Sequence, residues 1–168
     1  MELIKELREK TGAGIVECKK ALEEAGNDIE KAAEILRKKG IAKAAKRSDR
    51  ETSEGIIKLD ADGKTAFAIK LGSETDFVAR NEKFQKFADD VLAIMKSEKP
   101  ASLDALLSLN MEEGTVKESI DTLSGVIGEK LEVAEMAIVE GSGTVATYSH
   151  MEGRIGVLVA LDKEGLEE

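Results

Sequence analysis

The spacing of apolar residues changes once along this 168-residue chain, near Thr52. Before that point apolar residues recur every three or four positions, which is the period of an amphipathic helix. After it come two strand-like segments, two helical segments and three further strand-like segments. Strands and helices grouped in this order predict an α+β fold, in which an antiparallel β-sheet packs against helices.

The first 40 residues predict a module of three short helices. Glycines at positions 12, 14 and 26 separate three segments with apolar residues at helical spacing. Asn27 is expected to cap the third helix, with Glu30 as the other half of a capping box. Gly40 follows a run of basic residues and is expected to end that helix.

A basic stretch separates this module from the remainder. Residues 37–50, RKKGIAKAAKRSDR, carry seven basic residues and one acid, whereas the rest of the chain is acidic. This change in composition predicts a three-helix module at 1–40, a basic linker at 41–52 and an α+β core domain at 53–168. The basic stretch is interpreted either as a helix end with a solvated linker or as an RNA contact, although it lacks the aromatic residues that stack on bases.

The core domain is predicted to open with a β-hairpin. Asp62-Gly63, between two apolar segments, suits a tight turn whose central residues adopt positive φ. A helix capped at Asn81 follows, and Thr115 with Glu118 offers a capping box for a second helix. Three valine-rich strands separated by glycines end the chain and predict an antiparallel meander.

The last strand is apolar on both faces. Its alternating side chains form two sets, Ile155, Val157, Val159 and Leu161 on one face and Gly156, Leu158 and Ala160 on the other. Such a strand requires cover on both faces. We therefore expect either an exposed apolar patch or a partner molecule over it, and with it a weak homo-oligomer. Alternatively, the helices between residues 81 and 127 cover one face and the other is only partly hydrated.

The net charge of −9 makes the chain a poor candidate for binding nucleic acid directly or for lying on an anionic membrane. Cys18, the single cysteine, cannot form an internal disulfide, and the N-terminus has no apolar signal segment. No apolar run reaches the roughly 18 residues of a membrane span. We therefore expect a soluble protein in a reducing, cytoplasmic setting, with no membrane association.

The residues needed for catalysis are scarce. One histidine, His150, and Cys18 are far apart in the sequence, and no metal-ligand cluster or phosphate-binding glycine loop is visible. We expect no enzymatic activity, no cofactor and no metal site. Cys18 is either a small helix residue or a reactive thiol, and His150 is either an ordinary loop residue or a partner contact.

Phe77 fits no predicted core position. Phe67 belongs to an apolar strand, and Phe84 and Phe87 belong to a helical stripe, but Phe77 lies between them in SETDFVARNEKF, residues 73–84. Either it folds back into its own core or its apolar surface is buried in a partner.

Four segments in order resemble the signature segments of the bacterial translation elongation factor Ts family. They are LREKTGAGIVECKKALEEAGNDIEKAAEILRKKG, SETDFVARNEKF, GVIGEKLEV and HMEGRIGVLVA. The resemblance covers nearly the whole chain. It implies a guanine-nucleotide exchange factor for elongation factor Tu, with an N-terminal module like a ubiquitin-associated (UBA) domain and a dimerisation-type core. The alternative is a non-catalytic RNA- or protein-binding adaptor.

The resemblance also implies partner-binding residues. In the family, the Asp-Phe pair of the T-D-F-V-A motif disturbs the Mg²⁺ and phosphate site of the GTPase, and its Phe wedges between two GTPase helices. By match, the pair is Asp76 and Phe77. Further matches are Ile15, Val16 and Lys19 in the N-terminal module, and Ile127, Gly128 and His150 in the core.

The chain departs from the family pattern in three places. Gly72 and Ser73 stand where Asn and Cys are usual, which is expected to alter only local packing. Ala134 and Glu135 replace a common pair of arginines, so a basic contact from that strand is not expected. The sequence ends where relatives continue into further helices, so the family's C-terminal extension is expected to be absent.

Overall fold

The computed structural model describes residues 1–112 and 114–163. The helices are α1 (Glu2–Thr11), α2 (Ile15–Glu24), α3 (Ile29–Ala45), α4 (Asp76–Ala79), α5 (Glu82–Glu98), α6 (Leu103–Ser108) and α7 (Val116–Ile127). The strands are β1 (Glu54–Asp62), β2 (Thr65–Ser73), β3 (Asn110–Met111), β4 (Gly114–Thr115), β5 (Leu131–Glu140), β6 (Val145–His150) and β7 (Ile155–Ala160). Helices followed by antiparallel strands that pack with helices confirm the α+β class. Within the described ranges, every helix is too short or too polar to span a bilayer.

The chain forms two compact units. The first contains residues 1–50 together with 121–130, and the second contains residues 51–120 together with the chain from Leu131 onward. Helix α7 therefore begins in the second unit and ends in the first. The domain limits at residues 40 and 52 stay predictions.

The core of the first unit is formed by α1, α2 and α3. Its buried residues are Leu7, Ala13, Cys18, Ala21, Leu22 and Ala32. The Cys18 thiol is fully buried and donates to the Ala13 carbonyl oxygen at 3.6 Å. Burial raises the pKa of this thiol, which disfavours the nucleophilic thiolate. Cys18 is therefore a small core residue, and the reactive-thiol alternative is wrong.

Helix α3 differs from the prediction at both ends. Its cap is Asp28, whose carboxylate accepts from the Lys31 N–H at 3.1 Å. Asn27 precedes the cap in a left-handed conformation, with φ of 66°, so the predicted cap was wrong by one residue. The helix also continues through Gly40 to Ala45, so the predicted end at Gly40 was wrong.

Gly40 lies where α3 crosses the end of α7. It is buried, and a Cβ atom built on Gly125 of α7 would lie 2.4 Å from the Gly40 Cα atom. A side chain at position 125 would force the two helix backbones apart, and a Cβ atom on Gly40 would lie in tight contact with the Thr122 backbone, at 3.3 Å. Close helix packing, rather than helix termination, therefore explains the glycine at position 40.

The second unit contains the predicted hairpin. Strands β1 and β2 pair antiparallel, and Asp62 faces Thr65 across the turn. The turn residues are Gly63 and Lys64, one position later than predicted. Gly63 has φ of 59°, whereas Lys64 does not adopt positive φ, which fits a type II′ turn in which only the first central residue needs positive φ.

The predicted three-strand meander is wrong. Strand β5 pairs with β2, giving a sheet of order β1-β2-β5, and β6 pairs with β7 in a separate two-stranded ribbon. Leu131 and Val133 of β5 are buried in the sheet. The ribbon packs its Gly156 face against the Ile57 and Leu59 side chains of β1. Apolar burial on β1 and β2 thus prevails over pairing between strands that are adjacent in sequence.

Helix α5 covers the sheet. Its buried residues are Phe84, Phe87, Ala88, Val91, Leu92 and Met95, and it contacts β1 and β2. The predicted cap is confirmed, because the Asn81 side chain accepts from the Lys83 N–H at 3.0 Å. The predicted capping box is also confirmed, with both Thr115–Glu118 hydrogen bonds at 3.2 Å. Helix α6, capped by Ser102, was not predicted.

Candidate partner-binding site

Phe77 is displayed on α4, a single helical turn between β2 and α5. The Phe77 side chain is 82% exposed, whereas its neighbours Val78 and Ala79 are buried. The alternative in which Phe77 folds back into its own core is therefore wrong. The buried Val78 and Ala79 side chains attach the turn to the core of the second unit, and Phe77, the largest side chain of the turn, faces solvent.

Hydrogen bonds hold both ends of α4. The Thr75 hydroxyl accepts from the Val78 N–H at 3.5 Å, and the Thr75 carbonyl accepts from the Ala79 N–H at 3.3 Å. At the other end, the Gln85 amide donates to the Ala79 carbonyl at 2.5 Å. The buried Ser73 hydroxyl donates to the same Thr75 carbonyl at 2.9 Å. These bonds give Phe77 a fixed base rather than a flexible loop.

Asp76 precedes Phe77 and is partly exposed. Its carboxylate lies 3.4 Å from the Arg80 guanidinium, one turn later on the same surface. With 37% of its side chain exposed, Asp76 remains accessible beside Phe77. An exposed ion pair of this kind is weak and can exchange partners at little cost.

The structure gives a reason for Gly72 at the end of β2. A Cβ atom built on Gly72 would lie 2.8 Å from the Thr52 hydroxyl oxygen and 2.9 Å from the Thr52 Cβ atom. The Thr52 hydroxyl in turn donates to the Glu132 carboxylate. Thr52 therefore occupies the space that a side chain at position 72 would need.

His150 ends β6 and is exposed. Its imidazole stacks on Tyr148, with ring centroids 6.0 Å apart, and its Nδ1 atom lies 3.2 Å from the Tyr148 hydroxyl. Met151 and Glu152, which follow, both adopt positive φ, an uncommon conformation for residues other than glycine. Sequence reasoning did not identify Tyr148, although its alternation with His150 places both on one face of a strand.

The predicted contacts of the N-terminal module lie on one face of α2. Ile15 and Val16 are 58% and 65% exposed, and Lys19 is exposed one turn later. The Lys19 ammonium lies 3.8 Å from the Glu23 carboxylate. Because the opposite face of α2 contributes Cys18 to the core, these three side chains are left for a partner or for solvent.

Ile127 and Gly128 terminate α7. Ile127 is partly buried and Gly128 is exposed. Gly128 has φ of 97°, and its N–H donates to the Ser124 carbonyl at 2.9 Å. Gly128 thus has a structural role at the helix end, in addition to any partner contact.

Several basic residues of the 37–50 stretch contact groups within the first unit. Lys39 lies 2.6 Å from Glu24, and Lys43 pairs with Glu17. The hydrogen bond from Lys43 lowers the pKa of the Glu17 carboxyl. Arg47 donates to the Ser124 carbonyl at 3.2 Å. RNA phosphates would have to compete with these carboxylates and carbonyls, which disfavours the RNA-contact interpretation.

The described residues contain no group of three or more His, Cys, Asp or Glu side chains arranged to hold a metal ion. The structure displays an exposed aromatic side chain on an anchored turn, with a partly exposed carboxylate beside it. The family profile described as elongation factor TS matches residues 74–168, beginning just before Asp76 and Phe77 and covering more than half of the chain. The chain therefore belongs to the elongation factor TS family.

Proposed function

We propose that the chain is a guanine-nucleotide exchange factor for elongation factor Tu, acting in translation elongation in the cytoplasm. It performs no covalent chemistry of its own. Asp76 and Phe77 are inserted near the Mg²⁺ and phosphate site of the GTPase and accelerate GDP release. The observation that carries the proposal is the 82% exposure of Phe77 on a turn anchored by buried neighbours.

Phe77 supplies binding free energy without a large ordering cost. Burying about 150 Å² of an aromatic side chain is worth on the order of 3–4 kcal/mol before the costs of association. Because hydrogen bonds already hold the backbone of α4, little backbone entropy is lost on binding. The turn is therefore a pre-organised anchor.

Thermodynamic linkage connects this binding to exchange. A factor that binds the nucleotide-free GTPase more tightly than the GDP form must weaken GDP binding by the same ratio. A carboxylate inserted with Phe77 repels phosphate and competes for Mg²⁺, which is among the largest charges in such a site. The factor changes the rates of exchange and leaves the overall equilibrium between GDP and GTP unaltered.

We assign auxiliary contacts with factor Tu to two further groups of side chains. Ile15, Val16 and Lys19 form the exposed face of α2. Ile127, Gly128 and His150 are the other proposed contacts. Exposed apolar side chains such as Ile15 and Val16 add affinity when a partner excludes water from them.

The test is the release of fluorescent GDP from factor Tu. Phe77→Ala is expected to slow catalysed release at least about tenfold, equivalent to about 1.4 kcal/mol. Phe77→Leu should retain part of the activity, because it keeps apolar volume, and Asp76→Asn should cause a smaller loss than Phe77→Ala. Leu3→Ala removes a different exposed apolar side chain and serves as the control.

Normal catalysed release by folded Phe77→Ala would contradict the insertion mechanism. The adaptor alternative makes a different prediction, because an adaptor would bind its partner without accelerating GDP release. Wild-type protein that binds factor Tu and leaves the release rate unchanged would therefore favour the adaptor.

A further inference from the structure

We infer that Ser73 is a positioning residue for exchange, whose hydroxyl fixes the orientation of α4 and thereby of Phe77. The inference rests on the proposed function, since it concerns the same insertion. Ser73 has no exposed surface and so is not itself a contact with the partner or the nucleotide. It acts through the backbone of Thr75.

Ser73 lies where β2 ends and α4 is about to begin. It is the last residue of β2, pairs with Glu54 and Leu131 in the register of the sheet, and has no exposed surface. Its hydroxyl donates to the Thr75 carbonyl oxygen at 2.9 Å. The bond thus joins the rigid sheet to the peptide group that starts the turn.

The Thr75 carbonyl is a shared acceptor. It receives the Ser73 hydroxyl from the strand side and the Ala79 N–H, at 3.3 Å, from the helix side. At the start of the turn the other bonds are longer, with the Thr75 cap at 3.5 Å and the Arg80 N–H at 3.2 Å from the Asp76 carbonyl, whereas its far end is held by the Gln85 amide at 2.5 Å from the Ala79 carbonyl. A single helical turn has little stability of its own. The Ser73 bond is therefore a short polar tether between the sheet and the start of the turn that carries Phe77.

Removing this hydroxyl is expected to affect orientation more than global stability. In Ser73→Ala the Thr75 carbonyl keeps its bond from Ala79 and is not left unsatisfied, so the large penalty for an orphaned buried acceptor does not arise. The peptide plane at Thr75 gains freedom, however, and Phe77 follows it. A loss of exchange larger than the loss of folding stability is the expected signature.

Ser73→Cys is the conservative variant. A thiol is a weaker and longer donor, as the 3.6 Å bond from Cys18 to the Ala13 carbonyl illustrates in this chain. The control is Ser102→Ala, which removes the side-chain cap of α6, another short helix of the same unit. Both serine-to-alanine variants lose one hydroxyl hydrogen bond, but only Ser73 is joined to α4.

The experiment measures catalysed GDP release at saturating factor, together with the melting temperature and amide hydrogen exchange. We expect Ser73→Ala to slow release about fivefold, the equivalent of one hydrogen bond. Ser73→Cys should be intermediate and Ser102→Ala unchanged. Protection of the Val78 and Ala79 amides should fall in Ser73→Ala and remain normal in Ser102→Ala.

A double variant decides whether Ser73 acts through Phe77. Adding Ser73→Ala to Phe77→Ala should produce no further loss of exchange, because both changes affect one insertion. Additive losses, or unchanged release by Ser73→Ala while Phe77→Ala is impaired, would overturn the inference. If Phe77→Ala leaves exchange normal, the proposed insertion mechanism fails, whereas unchanged protection of the Val78 and Ala79 amides in Ser73→Ala would refute the tether itself.

Discussion

The Thr52 side chain fills the space next to Gly72, near the end of β2. Thr52 approaches Gly72 so closely that a Cβ atom at position 72 would lie within 3 Å of two Thr52 atoms. The Thr52 hydroxyl is held by Glu132, the residue that faces Gly72 in the sheet. The sequence suggested only that a glycine here alters local packing, and the contact identifies the neighbour concerned.

This contact predicts a coupled pair of substitutions. Gly72→Ala should destabilise the protein by about 1–3 kcal/mol, because the added methyl group overpacks against a short side chain that has little room to move. Thr52→Gly should relieve that penalty, although it introduces a small cost of its own. Urea denaturation of the two single variants and the double variant measures the coupling.

Additive effects in that cycle would show that Thr52 is not the obstacle. Val159→Ala, at an exposed position on β7, is a control that should be additive with Gly72→Ala. Additivity between Val159→Ala and Gly72→Ala would confirm that the coupling between Thr52 and Gly72 is local.

At the candidate site, the sequence identified the proposed partner-binding residues more readily than it predicted their local structure. Phe77 could be singled out because no helical or strand period includes it. Its four-residue helix could not be predicted, since one turn is too short to show a hydrophobic period. The Ser73 tether depends on a hydroxyl reaching a backbone carbonyl, which no sequence pattern records.

At the scale of elements, local signals predicted helix starts better than helix ends. The capping box at Thr115 and Glu118 formed as expected, because a cap involves only neighbouring residues. Gly40 resembled a terminator but lies within α3, since its role is set by Gly125, far away in the sequence. The pairing of β5 with β2 was missed for the same reason, because it joins distant segments.

Strand β5 forms an edge of the sheet, and its features discourage further pairing. Ala134 has no partner in β2, because the register shifts there by one residue. Such a bulge twists an edge strand, and charged residues on it oppose edge-to-edge association. Glu132, Glu135 and Glu140 supply those charges. Ala134 thus lies at the bulge, and the Glu135 carboxylate pairs with the Lys70 ammonium of β2 at 2.7 Å.

An ion pair joins β1 to α5 and gives a pH prediction. The hydrogen bond from the Lys96 ammonium, at 2.5 Å, holds the pKa of the Asp60 carboxyl below its ordinary value of 3.8. A lowered folded-state pKa contributes stability above the unfolded-state pKa, and this contribution is lost as the pH falls through the lowered value. Asp60→Asn should therefore lower the melting temperature at pH 7 by about 1 °C, since partly exposed ion pairs are weak.

The difference between Asp60→Asn and the native chain should begin to shrink below the unfolded-state pKa of about 4 and should vanish once the pH has passed the lowered folded-state pKa, where the native carboxyl also becomes protonated. Asp90→Asn breaks the Lys86–Asp90 pair, which lies within α5 and does not connect α5 to β1. Calorimetry across the acid range checks both variants. A difference for Asp60→Asn that persists at pH 2 would show that the effect is steric rather than electrostatic.

At the scale of the whole molecule, the proposed contacts with factor Tu are divided between the two compact units. Ile15, Val16, Lys19, Ile127 and Gly128 belong to the first unit, and Asp76, Phe77 and His150 belong to the second. Because of this division, the affinity for factor Tu and the rate of GDP release can be altered by separate sets of variants. Variants of the α2 face should weaken affinity for factor Tu, whereas variants of α4 should slow release even at saturation.

The last strand presents the apolar patch that the sequence predicted. On one face of β7, Ile155, Val157 and Val159 are 49%, 40% and 41% exposed. Tyr148 of the neighbouring strand β6 is paired with Val157. The opposite face lies against β1, through Gly156. The alternative in which the helices between residues 81 and 127 provide the cover is therefore not what the structure shows.

We expect this patch to cause weak self-association. A stable dimer interface buries about 800 Å² per partner, and a few half-exposed side chains provide less. The association should therefore depend on concentration in the accessible range, and sedimentation equilibrium over a roughly hundredfold range should detect it. Val157→Lys places a charge at the centre of the patch and should yield a monomer, whereas Leu3→Lys, at an exposed apolar position of the first unit, should not alter the association. A native chain that stays monomeric throughout and binds no hydrophobic dye would refute the expectation, because an accessible apolar patch of this size should do at least one of the two.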